Sequence, residues 1–121
     1  MAKKKVQFES FNDGVCSLWQ LDKTKKPTLL LGNIRFQERT VGIKRNFEAE
    51  QAGHTVQKLI RIPRMDFIKV GVFAVIEGQQ YTVLQVQKIF NTIPECVDLT
   101  LENPTILLNF DESEVGPGGR V

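Results

Sequence analysis

The chain has 121 residues, the length of one domain, and its 41% hydrophobic and 25% charged residues are typical of a soluble globular protein. No apolar run approaches the roughly 20 residues needed to cross a bilayer, and no apolar segment follows the basic start as in a signal peptide. These features exclude a disordered or membrane-spanning chain, and we expect folding in the cytoplasm.

The net charge of +2 conceals an uneven distribution of charge along the chain. Residues 1–64 hold 13 Lys and Arg against 6 Asp and Glu, whereas residues 65–121 hold 3 against 8. Such a split is expected where the basic face of one copy meets the acidic face of another, or where a basic half faces a polyanion. It also arises by chance when a chain ends in an acidic tail.

The N-terminal third predicts an arm, a strand and a charged turn. Residues 1–12 are polar and basic, as expected of a flexible basic arm. After a turn, residues 15–21 are rich in strand-forming side chains. A charged, exposed loop over residues 22–27 follows, and then an apolar piece at 29–31 that stops at Gly32.

Two alternating segments with a polar connection occupy the centre of the chain. Residues 34–40 alternate apolar and polar side chains, and the polar members include Arg35 and Arg39, so one face of this strand is basic. Residues 55–62 predict a second strand, which is closed by a proline. Between the two strands, residues 48–52 favour helix, but the glycine that follows limits them to one helical turn within a loop.

The C-terminal half predicts a hairpin and further strands. Residues 68–76 are apolar, with a bend expected at Gly71, and residues 81–90 have the most regular strand pattern in the chain. A turn between them makes a β-hairpin. Residues 96–101 alternate again, and residues 106–108 predict a short last strand.

About six short strands and almost no helical periodicity predict an all-β fold, a small antiparallel β-barrel or sandwich. This domain is expected to cover residues 13–110. Residues 111–121 are acidic and rich in glycine, a composition that cannot bury a core, so they predict a flexible tail.

The candidates for chemistry are few. Cys16 and Cys96 stand 80 positions apart in predicted strands; their number allows a disulfide, but we interpret them as small buried hydrophobic residues with reduced thiols. His54 is the only histidine and has no nucleophile or cysteine beside it, while Glu48 and Glu50 are typical of a solvated loop. Neither GxxxxGK[ST] nor GxGxxG occurs. We therefore predict no enzymatic activity, no catalytic residue, no metal ion and no cofactor.

A basic cluster around the two central segments makes nucleic acid a candidate ligand. Phe36 and Phe47 are interleaved with it, as in the small barrels that stack single-stranded bases on aromatic side chains. Alternation, however, directs Phe36 away from Arg35 and into the core. Both a base-stacking surface and a core aromatic beside solvated arginines stay open. The cluster comprises Arg35, Arg39, Lys44, Arg45, Lys58, Arg61 and Arg64.

Four segments in a fixed order resemble the head-closure proteins of long-tailed bacteriophages, which are also called head–tail connectors or stoppers. They are the run Phe36-Gln-Glu-Arg-Thr-Val-Gly-Ile-Lys-Arg45, the loop Glu48-Ala-Glu-Gln-Ala-Gly53, the strand Leu59-Ile-Arg-Ile-Pro63 and the hairpin Val75-Ile-Glu-Gly-Gln-Gln-Tyr-Thr-Val83. The likeness covers roughly Gly14 to Leu101 and leaves out both ends of the chain.

The resemblance implies a structural virion protein of the phage neck, assembled in the host cytoplasm. Such proteins form a ring below the portal and its adaptor, close the DNA channel after packaging and offer a docking surface to the tail. A long loop between two middle strands of the barrel projects into the channel. By position, the channel or stopper loop here would consist of Asn46, Phe47, Glu48, Ala49, Glu50, Gln51, Ala52, Gly53, His54 and Thr55.

The resemblance also implies the partners of the chain. They would be other copies of itself in the ring, the portal or adaptor protein, a tail terminator or tail-completion protein and, without base specificity, packaged double-stranded DNA; no membrane is expected. The alternatives are a tail-completion or other neck protein of the same virion, and a small nucleic-acid-binding β-barrel. The candidates for contact with DNA or with a neighbouring subunit are Arg35, Arg39, Lys44, Arg45, Arg61 and Arg64.

Overall fold

The computed structural model describes residues 6–42, 49–53, 55–104 and 107, which contain eight β-strands and one helical turn at 49–51. The strands are β1 (Gln7–Phe8), β2 (Gly14–Leu21), β3 (Pro27–Arg39), β4 (Val56–Pro63), β5 (Phe73–Ile76), β6 (Gln79–Ile89), β7 (Thr92–Ile93) and β8 (Cys96–Glu102). The predicted last strand at 106–108 and the predicted tail at 111–121 lie outside the described residues, apart from Leu107.

Six strands form one closed antiparallel barrel in the order β2-β3-β4-β8-β6-β5. β5 closes it, because this short strand pairs with β6 on one side and with β2 on the other. Each of the six strands pairs with a neighbour on both sides over at least part of its length, which leaves less edge for edge-to-edge association than an open sheet would. The predicted fold, a small all-β antiparallel barrel of about six strands, is confirmed.

Alternation sends one face of each strand into the barrel, where the core forms. Ile60 of β4 pairs with Leu99 of β8, and both side chains are fully buried. The next inward pair, Ile62 and Val97, repeats the arrangement. Phe36 of β3 is 3% exposed and packs into the same cluster, so its predicted core position is confirmed. Burial of each such side chain contributes about 1.5–3 kcal/mol.

β2 departs from simple alternation because it is buried on both faces. Cys16 and Leu18 belong to the barrel core, whereas Trp19 forms a second cluster with Val75. Ser17 lies on the same outer side as Trp19 and accepts a hydrogen bond from the indole Nε1 at 2.8 Å. The polar end of the buried indole is therefore satisfied, as a buried tryptophan requires.

β3 is longer than predicted, because the expected stop at Gly32 is a bulge within the strand. Leu31 pairs with Leu18 and Ile34 pairs with Cys16, so two residues of β3 lie opposite one residue of β2. The second of the two, Asn33, has φ 57°, a left-handed conformation that asparagine tolerates. Strand-breaking residues at a bulge bend the strand without ending it.

The predicted hairpin is confirmed as β5 and β6, joined by the two residues Glu77 and Gly78. Both have positive φ, 50° and 81°, which matches the right-handed twist of the flanking strands. Gly71, with φ 93°, supplies the expected bend. Residues 70 and 71 form a turn, so the strand begins only at Phe73.

The predicted flexible arm of residues 1–12 needs correction from residue 7 onward. The amides of Gln7 and Glu9 donate to the carbonyls of Asn91 and Ile93 at 3.1 and 3.0 Å, which pairs β1 with β7 in parallel. The chain then runs to Asp13, whose carboxylate accepts a bond from the Glu38 amide at 2.8 Å. We call residues 6–13 the N-terminal strap.

A buried ion-pair cluster holds this strap to the barrel. Arg61 of β4 lies opposite Asp98 of β8, and its guanidinium donates two bonds to that carboxylate at 2.6 and 3.0 Å. A third bond, of 2.5 Å, goes to Glu9 of the strap. All three side chains are 7–8% exposed. Gln37 of β3 donates to the other Glu9 oxygen at 3.2 Å, so the cluster joins three strands and the strap.

The antiparallel order determines which connections share an end of the barrel. The β3–β4 connection (residues 40–55), the β5–β6 turn and the end of β8 lie at one end, which we call the loop end. The β2–β3 and β4–β5 connections and the β1–β7 ladder lie at the opposite end, which we call the β7 end. The strap passes from the β7 end toward the loop end along β3.

Replacing Arg61 with Ala should lower the free energy of unfolding by about 3–5 kcal/mol, because two buried carboxylates lose their common partner. Urea unfolding followed by tryptophan fluorescence measures the change. The matched control is Lys58→Ala on the same strand, which removes the more exposed Lys58–Glu38 pair.

That control should lose only about 0–1 kcal/mol, since exposed ion pairs contribute little. Equal losses for Arg61→Ala and Lys58→Ala would contradict the structural role assigned to the cluster.

Candidate functional site

Two of the predicted contact residues lie exposed on β3. Arg35 pairs in register with Val15 of β2, and its side chain points away from the core. Arg39 is the last residue of β3, at the root of the β3–β4 connection, and donates to Gln37 Oε1 at 2.7 Å. Both guanidinium groups can therefore reach a ligand on the outer surface.

Arg61 was predicted to contact DNA or a neighbouring subunit, and its position corrects that prediction. It is 7% exposed, and its guanidinium is hydrogen-bonded to Asp98 and Glu9. The hydrogen bonds that the guanidinium donates to Asp98 raise the pKa of Arg61 above its usual range. In the sequence, Arg61 stands two residues before a proline and therefore looks like an exposed residue at the end of a strand. Only the pairing of β4 with β8 brings the Asp98 carboxylate beside it.

Arg64 is exposed at the β7 end, but its charge is already balanced. It donates to Asp66 at 2.9 Å and to Glu95 at 3.0 Å, and the bond to Asp66 is the first cause of its raised pKa. Its guanidinium carbon also lies 5.5 Å from the centre of the Phe90 ring, within the range of a cation–π contact. A phosphate would have to displace these partners.

The described part of the predicted channel loop is a short helical turn. Ala49 is buried, whereas Glu50, Gln51, Ala52, Gly53 and Thr55 are exposed. The Ala52 and Gly53 amides donate to the carbonyls of Ala49 and Glu50 at 3.1 and 3.0 Å, and Gly53 ends the turn with φ 83°. The other predicted residues, Asn46, Phe47, Glu48, His54, Lys44 and Arg45, lie outside the described residues.

A shallow cleft beside Arg35 was not predicted from the sequence. It measures about 270 Å³ and is lined by the strap residues Phe11 and Asn12 together with Gly14, Val15 and Arg35. A Cβ on Gly14 would lie 2.7 Å from the ring of Phe36, so glycine is required where that ring packs against the backbone. Nothing local in the sequence places the strap here, because its position depends on contacts with β3 and β4.

The described residues bring together no constellation typical of catalysis or metal binding. In the part of the chain that the structure describes, no three His, Cys, Asp or Glu side chains approach one another closely enough to hold a metal ion. Each buried side-chain nitrogen or oxygen there has a hydrogen-bond partner, so none is left oriented toward a missing ligand. Among the same residues, the structure contains no helix of the length and apolar character that crossing a bilayer requires.

The two thiols are buried and free, as predicted. Cys16 and Cys96 are buried and not joined in a disulfide. Burial raises the pKa of the Cys16 thiol from 9.0 to about 12 and also raises the pKa of Cys96. Since the thiolate is the reactive form, neither side chain is suited to nucleophilic chemistry near neutral pH.

In the folded protein, neither thiol should react with a disulfide reagent at about pH 8. Both should react fully in denaturant, and absorbance of the released thiolate measures the difference. Rapid labelling of one thiol in the folded state would contradict the burial described here.

The same burial predicts loss of stability in alkali. A Cys16 pKa raised in the folded state favours the protonated thiol, so its contribution is complete below pH 9.0 and is lost as the pH rises toward about 12. In urea unfolding, Cys16→Ala should lose less stability over this range than the unmodified protein does. An equal loss of stability in the Cys16→Ala variant and in the unmodified protein would contradict the raised pKa of Cys16.

Comparison with known proteins gives no relative: no protein-family model matches the chain, and no curated protein matches it. A functional proposal for this chain therefore starts from its residues, its fold and the sequence resemblance described above.

Proposed function

We propose that this chain is a structural virion protein, a head-closure connector of a long-tailed bacteriophage. In this proposal, copies of the barrel form a ring below the portal and adaptor, close the DNA channel after packaging and provide the surface on which the tail docks. The protein works by contact and shape rather than by catalysis, and it passes from the host cytoplasm to the neck of the virion. The resemblance over Gly14 to Leu101 and the small closed barrel support the proposal.

The observation that carries the proposal is the β3–β4 connection. Residues 40–55 join two strands that are neighbours in the barrel, where a hairpin turn of two residues would suffice, as between β5 and β6. A long excursion between neighbouring strands is uncommon unless it has a function of its own. In a ring, such connections from all copies would converge on the channel if their ends face the axis.

Charges at this connection favour contact between subunits over a grip on DNA. Arg39 at its root is basic, but Glu50 on the helical turn is exposed and acidic. A carboxylate near a DNA backbone repels phosphate, whereas it can pair with a basic residue of the next copy in a head-to-tail ring. We therefore assign the helical turn to closure and Arg39 to contact with DNA or a neighbouring copy.

Deleting residues 48–53 should yield a folded protein whose assembled heads lose DNA. Because Ala49 is buried, a second variant keeps this residue and replaces only residues 50–52 with Gly-Ser-Gly. Nuclease-protected DNA per head, measured after assembly, reports channel closure. The control changes the loop at the other end of the barrel, Lys23→Ala with Lys25→Ala.

The control should retain DNA as the unmodified protein does. Normal retention by both loop variants would exclude the loop as the stopper. The neighbouring genes test the broader class: portal and capsid genes on one side and tail genes on the other are expected, and a setting without virion genes would overturn the connector proposal.

A second candidate function is a nucleic-acid-binding barrel, and the exposed Arg35 beside the aromatic Phe11 favours it. Arg61 is buried and Arg64 is held in ion pairs, and this weakens the case for a nucleic-acid-binding barrel. With these two arginines engaged in ion pairs, we expect the affinity for phosphate to be low at physiological salt.

We expect the isolated protein to bind a fluorescent single-stranded oligonucleotide no more tightly than about 10⁻⁴ M at physiological salt, as weak non-specific binders do. The double variant Arg35→Ala, Arg39→Ala should change this affinity little. The control, Lys23→Ala with Lys25→Ala, removes the same charge from the β2–β3 connection. Tight, strongly salt-dependent binding that only the arginine variant loses would favour the nucleic-acid barrel over the connector.

A further inference from the structure

The cleft between the strap and β2 combines apolar walls with an unpaired positive charge. It measures about 270 Å³, and Phe11, Gly14 and Val15 give it apolar walls, while Asn12 adds a polar one. Arg35 completes the lining and is exposed. No described residue accepts a hydrogen bond from Arg35 or forms an ion pair with it. Its guanidinium is therefore available to an acceptor from outside the described part of the chain.

Two carboxylates of the strap are engaged elsewhere and do not neutralise this arginine. Asp13, which lies within the lining stretch, accepts a bond from the Glu38 amide at 2.8 Å. Glu9 pairs with Arg61 in the buried cluster. The strap thus forms one wall of the cleft without supplying an acceptor for the guanidinium of Arg35.

The size of the cleft suits one side chain rather than an extended ligand. Pockets for small molecules usually measure about 300–1,000 Å³, so this cleft lies just below that range. A guanidinium binds a carboxylate through charge-assisted hydrogen bonds. The ligand that matches both properties is a short peptide in which an apolar residue, placed in the cleft, is followed by an acidic residue beside Arg35.

The chain itself contains such a peptide after β8. Residues 109–115 read Asn-Phe-Asp-Glu-Ser-Glu-Val, so Phe110 is followed by three carboxylates within the next four residues. No basic residue occurs after it until Arg120. We call residues 110–114 the acidic segment; it offers an aromatic side chain for the apolar walls and negative charge for Arg35.

The other parts of the chain outside the described residues are less suited to this cleft. The pair Phe47-Glu48 also joins an apolar to an acidic residue, but Lys44 and Arg45 stand close before it. That stretch would bring like charges to Arg35, which is unfavourable. The three lysines at residues 3–5 are basic as well and cannot supply a carboxylate. Charge complementarity therefore selects the acidic segment.

The exit of the chain from the barrel favours a cleft on a neighbouring copy. Pro104 follows β8 at the loop end, and the six residues from there to Phe110 span up to about 20 Å when extended. This length would reach a cleft on the same barrel or on a copy beside it. Leu107, halfway along, is 75% exposed, so the chain is not packed against its own barrel at that position.

We propose that the acidic segment of one copy binds the cleft of the next copy, with the Phe110 ring in the cleft and a following carboxylate on Arg35. Each copy then donates one segment and receives one, a head-to-tail contact that can close into a ring. The acidic and basic halves of the sequence meet in this contact. The inference names the contact between copies and rests on the proposed connector for the ring, whereas the binding itself is measurable on the purified protein.

A fluorescent peptide of residues 108–115 tests the binding directly. Fluorescence anisotropy with the purified chain should show saturable binding. Arg35→Ala should raise the dissociation constant at least about tenfold, because charge-assisted hydrogen bonds are lost. A peptide with Phe110→Ala should also bind at least about tenfold more weakly, since the apolar walls lose their occupant. Because Arg35 is exposed, Arg35→Ala should fold normally, as circular dichroism can verify.

Two control variants remove positive charge outside the cleft. One changes the β2–β3 connection and the other the start of the chain: Lys23→Ala with Lys25→Ala, and Lys3→Ala with Lys4→Ala and Lys5→Ala. Both should change peptide binding little at physiological salt, because salt screens general attraction between exposed charges. A control that weakens binding as much as Arg35→Ala would assign the binding to net charge and overturn the role of the cleft.

Mixing two variants tests whether the contact joins different copies. Arg35→Glu has a defective cleft and an intact segment, whereas Phe110→Ser with Asp111→Asn has the reverse. In sedimentation velocity, the unmodified chain should show concentration-dependent association beyond a dimer. Each variant alone should sediment as a monomer, and their equimolar mixture should form a heterodimer and nothing larger, because only one cleft and one segment remain functional.

No saturable binding of the peptide, or binding that Arg35→Ala leaves unchanged, would overturn the proposal. Peptide binding without heterodimer formation would place the segment in the cleft of its own barrel and overturn the contact between copies. None of these measurements involves DNA retention by assembled heads or the neighbouring genes, so failure here and failure of the connector proposal are distinguishable.

Discussion

The double pairing of β5, with β6 on one side and β2 on the other, is the constraint on which the rest of the structure depends. Because this four-residue strand closes the sheet, the inner faces of six strands enclose one core. Closure also determines which connections meet at each end of the barrel. The long β3–β4 connection and the β1–β7 ladder are consequently at opposite ends of the barrel.

The Arg61 cluster is the second organising interaction. The Arg61 guanidinium pairs with two carboxylates, and both partners are nearly buried. Breaking these ion pairs is costly because an unpaired charge would remain away from water. The cluster connects β4, β8 and the N-terminal strap, and Gln37 adds β3. The strap is thereby held along the outside of the barrel, which both forms the cleft beside Arg35 and positions Phe8 in the small sheet.

The accessible charges of the described residues are fewer than the composition suggests. Arg61 is buried and Arg64 is paired, whereas Arg35 and Arg39 remain exposed along β3. Among the described residues, the basic side chains of the N-terminal half are thus divided between ion pairs, the exposed arginines of β3 and the exposed lysines of the β2–β3 connection. Such charges are consistent with contacts between protein subunits and with loose contact to a DNA backbone.

The sequence by itself determined the fold class and the β5–β6 hairpin, and it favoured the core position of Phe36 and two buried, reduced cysteines, both of which the structure shows. Each of these follows from local properties: alternation at a period of two, a turn that tolerates positive φ, and the absence of a partner cysteine in a metal motif. The sequence did not reveal the bulge at Gly32 and Asn33, the strap or the burial of Arg61. These depend on which strand lies beside which, and only the closed barrel brings Asp98 and Glu9, distant in sequence, to the same guanidinium.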